Sequence, residues 1–201
     1  MTFPFSRQSQ AESATASPNK KALIFILELI EFVAISLAII LPIRYFLVQP
    51  FYVKGASMEP NFFDHEYLII DELSYRFHEP IRGEIVVFRY PRDPKEFFIK
   101  RVIGLPGETV EIAGGKVKIY NNEHPNGFLV DEQSYQEQVT MGTQTVTLKA
   151  GQYYLLGDNR AVSLDSRIFG PVDRSMLIGR VWLRGYPLDR FRVFETPKYS
   201  F

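Results

Sequence analysis

Ser57 lies in the stretch GASMEP and has the sequence surroundings of a nucleophile. Gly55 allows a positive φ or a close approach of a substrate backbone, and Pro60 restricts the chain just after the serine. We expect this geometry to expose the hydroxyl of Ser57 together with its own N–H. Because a serine hydroxyl is a poor nucleophile until a neighbouring base takes its proton, the chain must also supply a base.

The three histidines of the chain do not have the sequence context of such a base. His65 and His78 lie in polar, loop-like stretches, and His124 lies in the turn-rich stretch NNEHPNG. None belongs to an HExxH or HxH pattern, and the chain has no cysteine, which argues against a histidine-rich or cysteine-ligated metal centre. We therefore expect no metal and no cofactor, and we consider lysine as the base.

Lys100, in the stretch EFFIKRVIG, is the lysine with the most suitable context. In a strand it shares one face with Phe98 and Val102, while Ile99 and Arg101 take the other. Apolar neighbours disfavour the ammonium, and lowering its pKa from about 10.4 to about 8 requires roughly 3 kcal/mol of desolvation. The same pattern also fits a surface lysine whose ammonium reaches solvent, so the pattern alone leaves both interpretations open.

A third stretch, GDNRAVSLDSRIFGPV at residues 157–172, alternates acids and arginines around a glycine turn. Bidentate pairs between arginine and carboxylate can form a hydrogen-bonded support for a site. They can also be exchangeable pairs on a solvated loop, where they contribute little. Ser163 and Ser166 are spare hydroxyls that could orient an amine. The charged residues of the stretch are Asp158, Arg160, Asp165 and Arg167.

An apolar segment precedes these motifs. The first 21 residues are rich in Ser, Thr, Ala, Gln and Pro, and we expect a disordered cytoplasmic tail. Residues 22–43 carry only two charges and, at about 1.5 Å per residue, are long enough to cross a hydrocarbon layer of about 30 Å. A cleaved signal peptide is the alternative, but the run is long and no small-x-small site follows it. Lys20 and Lys21 indicate that the rest of the chain crosses to the trans side.

The remainder of the chain, residues 49–201, has the pattern of a mostly β domain. Short β-branched and aromatic runs alternate with turn signals, which predicts antiparallel sheets. AGG at 113–115 predicts a hairpin turn with KVKIY as the return strand. Residues 121–145 are polar and weakly periodic, and we expect either a small insertion, within about 110–150, or a long flexible loop. The balance of 23 basic and 23 acidic residues argues against a nucleic-acid partner.

In this order and behind this anchor, the three motifs resemble those of bacterial type I signal peptidases. These are membrane-bound Ser-Lys serine proteases of the S26 family, also called leader peptidases. GASMEP is similar to the nucleophile box, FFIKRVIGLPGE to the general-base box and GDNRAVSLDSRIFGPV to the final box. The match spans about residues 49–183. It implies an antiparallel β-sheet catalytic domain of the signal-peptidase and repressor-peptidase type, with a small insertion, preceded by one transmembrane helix.

The resemblance also implies roles for individual residues. Ser57 is the expected nucleophile and Lys100 its general base, with Ser163 hydrogen-bonded to the lysine and the Ser57 N–H as an oxyanion donor. Gly55 stands where many members carry a serine that is the second donor, and Asn61 replaces the usual threonine. The implied supporting residues are Arg101, Asp158, Arg160, Asp165 and Arg167. The implied substrate-binding residues are Phe51, Val53, Met58, Phe98 and Ile99.

The function implied by the resemblance is removal of signal peptides from secreted preproteins by cleavage after an Ala-x-Ala motif. The implied partners are these preproteins, the lipid bilayer and the secretion machinery, at the cell membrane or a thylakoid membrane. Two alternatives stay open: a self-processing Ser-Lys peptidase of the repressor type, and a non-catalytic, membrane-anchored β domain that binds proteins. The anchor argues against the first, because such repressors carry a soluble DNA-binding domain instead. A cleavage assay distinguishes the second.

Overall fold

The computed structural model of the protein describes residues 18–46 and 48–195. Contacts divide the chain into two units, Met1–Pro42 and Ile43–Phe201. Helix α1 spans Pro18–Phe46, and its segment Ala22–Leu41 has a mean hydropathy of 2.7 and no residue buried within the protein. By length and composition this segment could cross a membrane. Of the predicted tail, residues 1–17 lie outside the described part of the chain.

The second unit consists mainly of strands. Helix α2 spans Ser166–Phe169, and single turns of 3-10 helix lie at Ser74–Arg76, Arg174–Met176 and Leu188–Arg190. The strands are, in chain order, β1 (Val48–Tyr52), β2 (Tyr67–Asp71), β3 (Ile85–Tyr90), β4 (Asp93–Gly104), β5 (Thr109–Ala113), β6 (Lys116–Tyr120), β7 (Phe128–Leu129), β8 (Gln144–Thr147), β9 (Gln152–Leu156), β10 (Val172–Asp173), β11 (Leu177–Tyr186) and β12 (Arg192–Val193).

These strands form two antiparallel sheets. The larger sheet has the order β1-β2-β11-β3-β4-β9-β10, with β12 paired to β11, and the smaller has the order β7-β6-β5-β8. The expectation of a mostly antiparallel β fold behind one apolar helix is confirmed. In the larger sheet β4 lies between β3, its neighbour in sequence, and the distant β9, whose pairing with β4 begins at Arg101, directly after Lys100.

Strand β3 shows why the centre of the larger sheet is rigid. Ile85 and Val87 pack into an apolar cluster on one face, while Val86 and Phe88 pack into a second cluster on the other. Because successive side chains alternate between faces, an apolar run of this kind is buried on both sides. Strand β4 pairs with β3 from Asp93 to Arg101. Because the first four residues of β3 are buried, this pairing fixes the position of β4.

The hairpin predicted at AGG is confirmed. Ala113 pairs with Lys116, so Gly114 and Gly115 form a two-residue turn, with φ values of 57° and 80°. Positive φ at both turn positions matches the right-handed twist of the flanking strands and favours glycine.

Residues 130–143, called the strap below, connect β7 to β8 and pack against the domain. Within the strap Val130, Tyr135, Gln136 and Thr140 are buried. Of the two expectations for residues 121–145, the structure therefore has a packed insertion carrying β7 and the first part of β8.

Candidate active site

Ser57 begins a tight turn over the apolar core. The N–H of Glu59 donates to Ala56 O at 3.2 Å, and the N–H of Asn61 donates to Met58 O at 3.0 Å. Met58 and Phe62 are almost fully buried in the cluster below, so their packing fixes the turn while Ser57 stays half-buried. We call residues 57–61 the nucleophile turn.

Gly55, two residues before Ser57, has the positive φ expected from the sequence, at 85°. A Cβ built there would have no atom within 4 Å, so the glycine is required by the backbone conformation and not by crowding. Its N–H donates to Asp64 Oδ1 at 2.9 Å. That N–H is therefore occupied, and among the described residues no acceptor lies within hydrogen-bond reach of the Ser57 N–H.

Lys100 lies on β4 opposite Val86, and its side chain is buried, with 3% of its surface exposed. Its Nζ lies 2.7 Å from Ser57 Oγ and donates to Ile99 O, also at 2.7 Å. The interpretation of Lys100 as a solvated surface lysine is therefore wrong. The sheet directs the amine inwards, to the hydroxyl of the nucleophile turn.

Burial lowers the pKa of Lys100 from 10.5 to about 8. The carboxylates of Asp165 and Asp158 act in the opposite direction, because negative charge favours the ammonium, but desolvation is the larger effect. A substantial fraction of the amine is consequently neutral near pH 8, and a neutral amine can accept the proton of a serine hydroxyl.

The third sequence motif packs directly on the nucleophile turn. The N–H of Asn159 donates to Ser57 O at 3.1 Å. A Cβ added at Gly157 would lie 2.5 Å from Ser57 O and 2.1 Å from Ser163 Oγ, so only glycine fits at this position. Ser163 is buried beside Gly157, as expected for a residue of the site.

The predicted hydrogen bond between Ser163 and Lys100 is not formed in the structure. Within the described part of the chain, Ser163 Oγ is buried without a hydrogen-bond partner, and Lys100 Nζ donates to Ile99 O instead. The carbonyl of the lysine's own neighbour on β4 satisfies the amine, which the sequence pattern did not indicate.

Two of the predicted supporting arginines form ion pairs with the predicted acids, both of which are buried. Arg101 Nε and Nη2 donate to the two oxygens of Asp158 at 2.8 and 2.6 Å. Arg167 Nε donates to Asp165 Oδ1 at 2.9 Å, and Asp165 Oδ2 accepts from the Gly157 N–H at 3.1 Å. The motif is therefore a hydrogen-bonded support rather than a solvated loop.

Arg160 has a partner that sequence reasoning missed. Its Nη1 donates to Glu132 Oε2 at 3.0 Å, and its Nε donates to Gly157 O at 2.9 Å. Glu132 belongs to the strap, where nothing in the local sequence distinguishes it from its polar neighbours. The available signal was indirect: a buried guanidinium requires a carboxylate, and the implied supporting residues comprise three arginines but only two aspartates.

An apolar cleft of ≈ 650 Å³ opens beside Ser57 and Lys100. Four of the predicted substrate-binding residues, Phe51, Val53, Phe98 and Ile99, line it. Met58 does not, because its side chain is 1% exposed and packs in the core under the turn. No cluster of metal-ligating side chains occurs among the residues that the structure describes. The other residues that line the cleft are Tyr52, Lys54, Gly55, Ala56, Leu68, Val87, Glu96, Phe97, Val162 and Leu164.

A protein-family model described as "Signal peptidase, peptidase S26" matches residues 26–186. This chain belongs to the peptidase S26 family of signal peptidases. The match covers α1 from Ile26 onwards and the sheets through the end of β11, and so includes Ser57, Lys100 and the third motif. The prediction that the protein is an enzyme, a serine peptidase and hence a hydrolase, is confirmed.

Two relatives by sequence agree with this assignment. A signal peptidase I of Leptolyngbya laminosa is 36% identical over 201 residues, which cover 96% of this chain and 95% of the relative. A signal peptidase IB of Staphylococcus aureus (strain COL) is 30% identical over 185 residues, covering 86% and 96%. A crystal structure of a signal peptidase I from Enterococcus faecalis V583 is 32% identical, covers 51% of this chain and 97% of that one, and has a TM-score of 0.43.

Proposed function

We propose that the protein is a membrane-anchored endopeptidase that removes signal peptides from preproteins with a Ser57–Lys100 dyad. The observation that carries this proposal is the 2.7 Å distance between Lys100 Nζ and Ser57 Oγ, at a lysine whose side chain is excluded from solvent. No other base is needed, and the family to which the chain belongs consists of signal peptidases.

In the proposed acylation step, the neutral amine of Lys100 takes the proton of Ser57 as Oγ attacks the carbonyl carbon before the scissile bond. The negative charge that develops on the carbonyl oxygen is stabilised by the Ser57 N–H, whose hydrogen has no acceptor among the described residues. The Lys100 ammonium then gives its proton to the leaving amine, which departs as the new N-terminus and leaves an acyl-enzyme.

Deacylation uses the same two groups in the reverse sense. Lys100, neutral again, takes a proton from a water molecule that attacks the acyl carbon, and the collapse of the second tetrahedral intermediate returns a proton to Ser57 Oγ. The carbonyl of Ile99 keeps one N–H of the amine engaged, which favours an orientation with the lone pair towards Ser57.

A free strand edge beside the dyad supports binding of an extended peptide. Strand β4 pairs with β3 along Asp93–Arg101, but its pairing with β9 begins only at Arg101. The other edge of β4 from Asp93 to Lys100 therefore has no partner strand among the described residues. A substrate could add to this edge as a strand, with its backbone held by hydrogen bonds and alternate side chains directed into the apolar cleft.

The apolar lining of the cleft favours uncharged side chains at the substrate positions that point into it. In an extended substrate, two such positions are separated by one residue whose side chain points away. We propose cleavage after a small-x-small motif of the Ala-x-Ala type, in line with the relatives, which are signal peptidases. Substrates of this kind carry an apolar segment in the bilayer upstream of the cut.

The proposed anchor is the α1 segment Ala22–Leu41, which is long and apolar enough to span a membrane. Lys20 and Lys21 before it favour a cytoplasmic N-terminus, with the catalytic domain on the trans side of the cell membrane or of a thylakoid membrane. This topology places the dyad on the side where translocated preproteins emerge from the secretion machinery.

The test is cleavage of a preprotein bearing an Ala-x-Ala site by the purified full-length protein in detergent. We expect cleavage by the wild type and none by Ser57→Ala or Lys100→Ala. Lys149→Ala, which removes an exposed lysine that lies on neither β4 nor the cleft, should leave cleavage intact. Cleavage by both the Ser57 and Lys100 variants would refute the dyad, and absence of cleavage by the wild type would refute the proposed function.

A further inference from the structure

Asn61 is the last residue of the nucleophile turn, and its backbone is fixed on both sides. Its N–H donates to Met58 O at 3.0 Å, which closes the turn. Its carbonyl accepts from Arg184 Nη1 at 3.0 Å, and the same guanidinium nitrogen contacts the carboxylate of Glu66 at 2.8 Å. The position of the Asn61 side chain is therefore determined by the fold.

The side-chain amide of Asn61 uses both of its hydrogens. Nδ2 donates to Asp158 Oδ2 at 2.8 Å and to Tyr135 O at 2.7 Å. A carboxylate and a carbonyl can only accept, so the orientation of the amide follows from its partners. A threonine has one hydroxyl hydrogen and could donate to only one of the two acceptors at a time.

Asp158 continues the connection from the nucleophile turn to the strand that carries Lys100. Its carboxylate is bound on the other side by Arg101, which directly follows Lys100 on β4. The hydrogen bonds from Asn61 to Asp158 and from Arg101 to Asp158 thus join the turn of Ser57 to the strand of Lys100.

The strap forms a second route between the same two segments. Tyr135 accepts the second Asn61 hydrogen through its backbone carbonyl, and its ring lies 4.0 Å below the guanidinium of Arg101. The amide of Asn61 is therefore hydrogen-bonded to two residues, Asp158 and Tyr135, and each of them contacts Arg101. These two hydrogen bonds of the Asn61 amide restrict the position of the nucleophile turn relative to β4.

We propose that Asn61 is a positioning residue that sets the separation of Ser57 and Lys100 by holding the nucleophile turn on Asp158 and on the strap. The proposal rests on the dyad of the proposed function. Misplacing a reacting group by about 1 Å can cost about 100-fold in rate. Loss of both hydrogen bonds should therefore lower kcat, while the substrate cleft, which Asn61 does not line, should keep its KM.

The experiment compares Asn61→Leu with Asn121→Leu in the full-length protein in detergent. Asn121 is a matched control because its Nδ2 donates, at 3.0 Å, to Glu108, another carboxylate paired with a buried arginine, but away from the dyad. For Asn61→Leu we expect kcat for the preprotein to fall at least about 10-fold with KM within about twofold. For Asn121→Leu we expect both constants to stay within about twofold of the wild type.

Asn61→Thr provides a second variant, which keeps one donor and should fold even if the leucine variant does not. We expect the kcat of Asn61→Thr to lie between those of the wild type and Asn61→Leu. If Asn61→Leu does not fold, we expect the kcat of Asn61→Thr to be lower than that of the wild type by about threefold or more. Wild-type kcat in Asn61→Leu or, where that variant does not fold, in Asn61→Thr would overturn the proposal, as would an equal loss in Asn121→Leu. Failure of the wild type to cleave would instead refute the proposed function.

Discussion

Lys100 Nζ lies 2.7 Å from Ser57 Oγ, although 43 positions separate the two residues in the sequence. The turn that carries Ser57 rests on a packed apolar core, and the strand that carries Lys100 is paired to a strand buried on both faces. The distance is therefore a property of the fold, and substitutions that alter it should affect activity in predictable ways.

Replacement of Lys100 by Met should abolish cleavage and stabilise the protein at pH 7. The pKa of Lys100 is about 8 in the folded protein against 10.5 for a free lysine, so the unfolded chain binds the proton more tightly. The free energy of unfolding of the wild type therefore decreases as the pH falls from about 10.5 to about 8, and the full loss remains at every pH below 8. That cost is about 3 kcal/mol. Denaturation of wild type and Lys100→Met at pH 7 and pH 10.5 measures it.

We expect the stabilisation of Lys100→Met to be largest at pH 7 and to shrink towards pH 10.5, where the lysine is increasingly neutral in both states. A Lys100→Met protein less stable than the wild type at pH 7 would contradict the account.

Asp158→Asn should be strongly destabilising, because it removes the charge that pairs with the buried Arg101. Breaking a buried ion pair costs about 3–5 kcal/mol. It should also lower the pKa of Lys100, since the Asp158 carboxylate favours the ammonium, and so move the acidic limb of the activity profile to lower pH. Chemical denaturation and a pH series of kcat/KM measure the two effects.

Glu79→Gln is the control for this prediction, because Glu79 pairs with Arg174 at 2.8 Å but its side chain is 72% exposed. Exposed pairs contribute about 1 kcal/mol or less. Equal losses of stability in the Asp158 and Glu79 variants would be inconsistent with a buried support for the site.

Gly157→Ala should lower kcat by about 100-fold, because the added methyl group would collide with Ser57 O and displace the nucleophile. Gly185→Ala serves as the control, since the nearest atom to a Cβ there is 3.7 Å away. Steady-state cleavage of the preprotein measures both. Normal kcat in Gly157→Ala would show that the third motif does not restrict Ser57.

Glu132→Ala should destabilise the protein by about 3–5 kcal/mol, because it leaves the guanidinium of Arg160 buried without its carboxylate. Glu137→Ala, an exposed residue of the same strap, should change stability by no more than about 0.5 kcal/mol. Thermal denaturation of the two variants is the measurement. A Glu132 variant as stable as Glu137→Ala would argue against the strap as a support of the third motif.

The sequence was informative where chemistry depends on local residue types. Three features were recognisable from the sequence: Ser57 between a glycine and a proline, the apolar neighbours of Lys100, and the AGG hairpin. They were recognisable because turn conformation and strand alternation depend on neighbouring residues in the chain. The resemblance to signal peptidases then related three distant motifs to one another, which local patterns could not do.

The contacts that the sequence did not reveal are long-range. Glu132 lies 28 positions from Arg160, and Asn61 lies 97 positions from Asp158. Partners at such separations depend on how the strap and the turn pack, not on any local periodicity. Lys100 is a local exception, because its amine donates to the carbonyl of the adjacent Ile99 rather than to the expected hydroxyl of Ser163.

The pH dependence of kcat/KM for preprotein cleavage tests the lysine base most directly. We expect kcat/KM to fall on acidification with an apparent pKa of about 8, as Lys100 becomes protonated. A flat profile between about pH 5 and pH 9 would contradict a dyad in which neutral Lys100 activates Ser57.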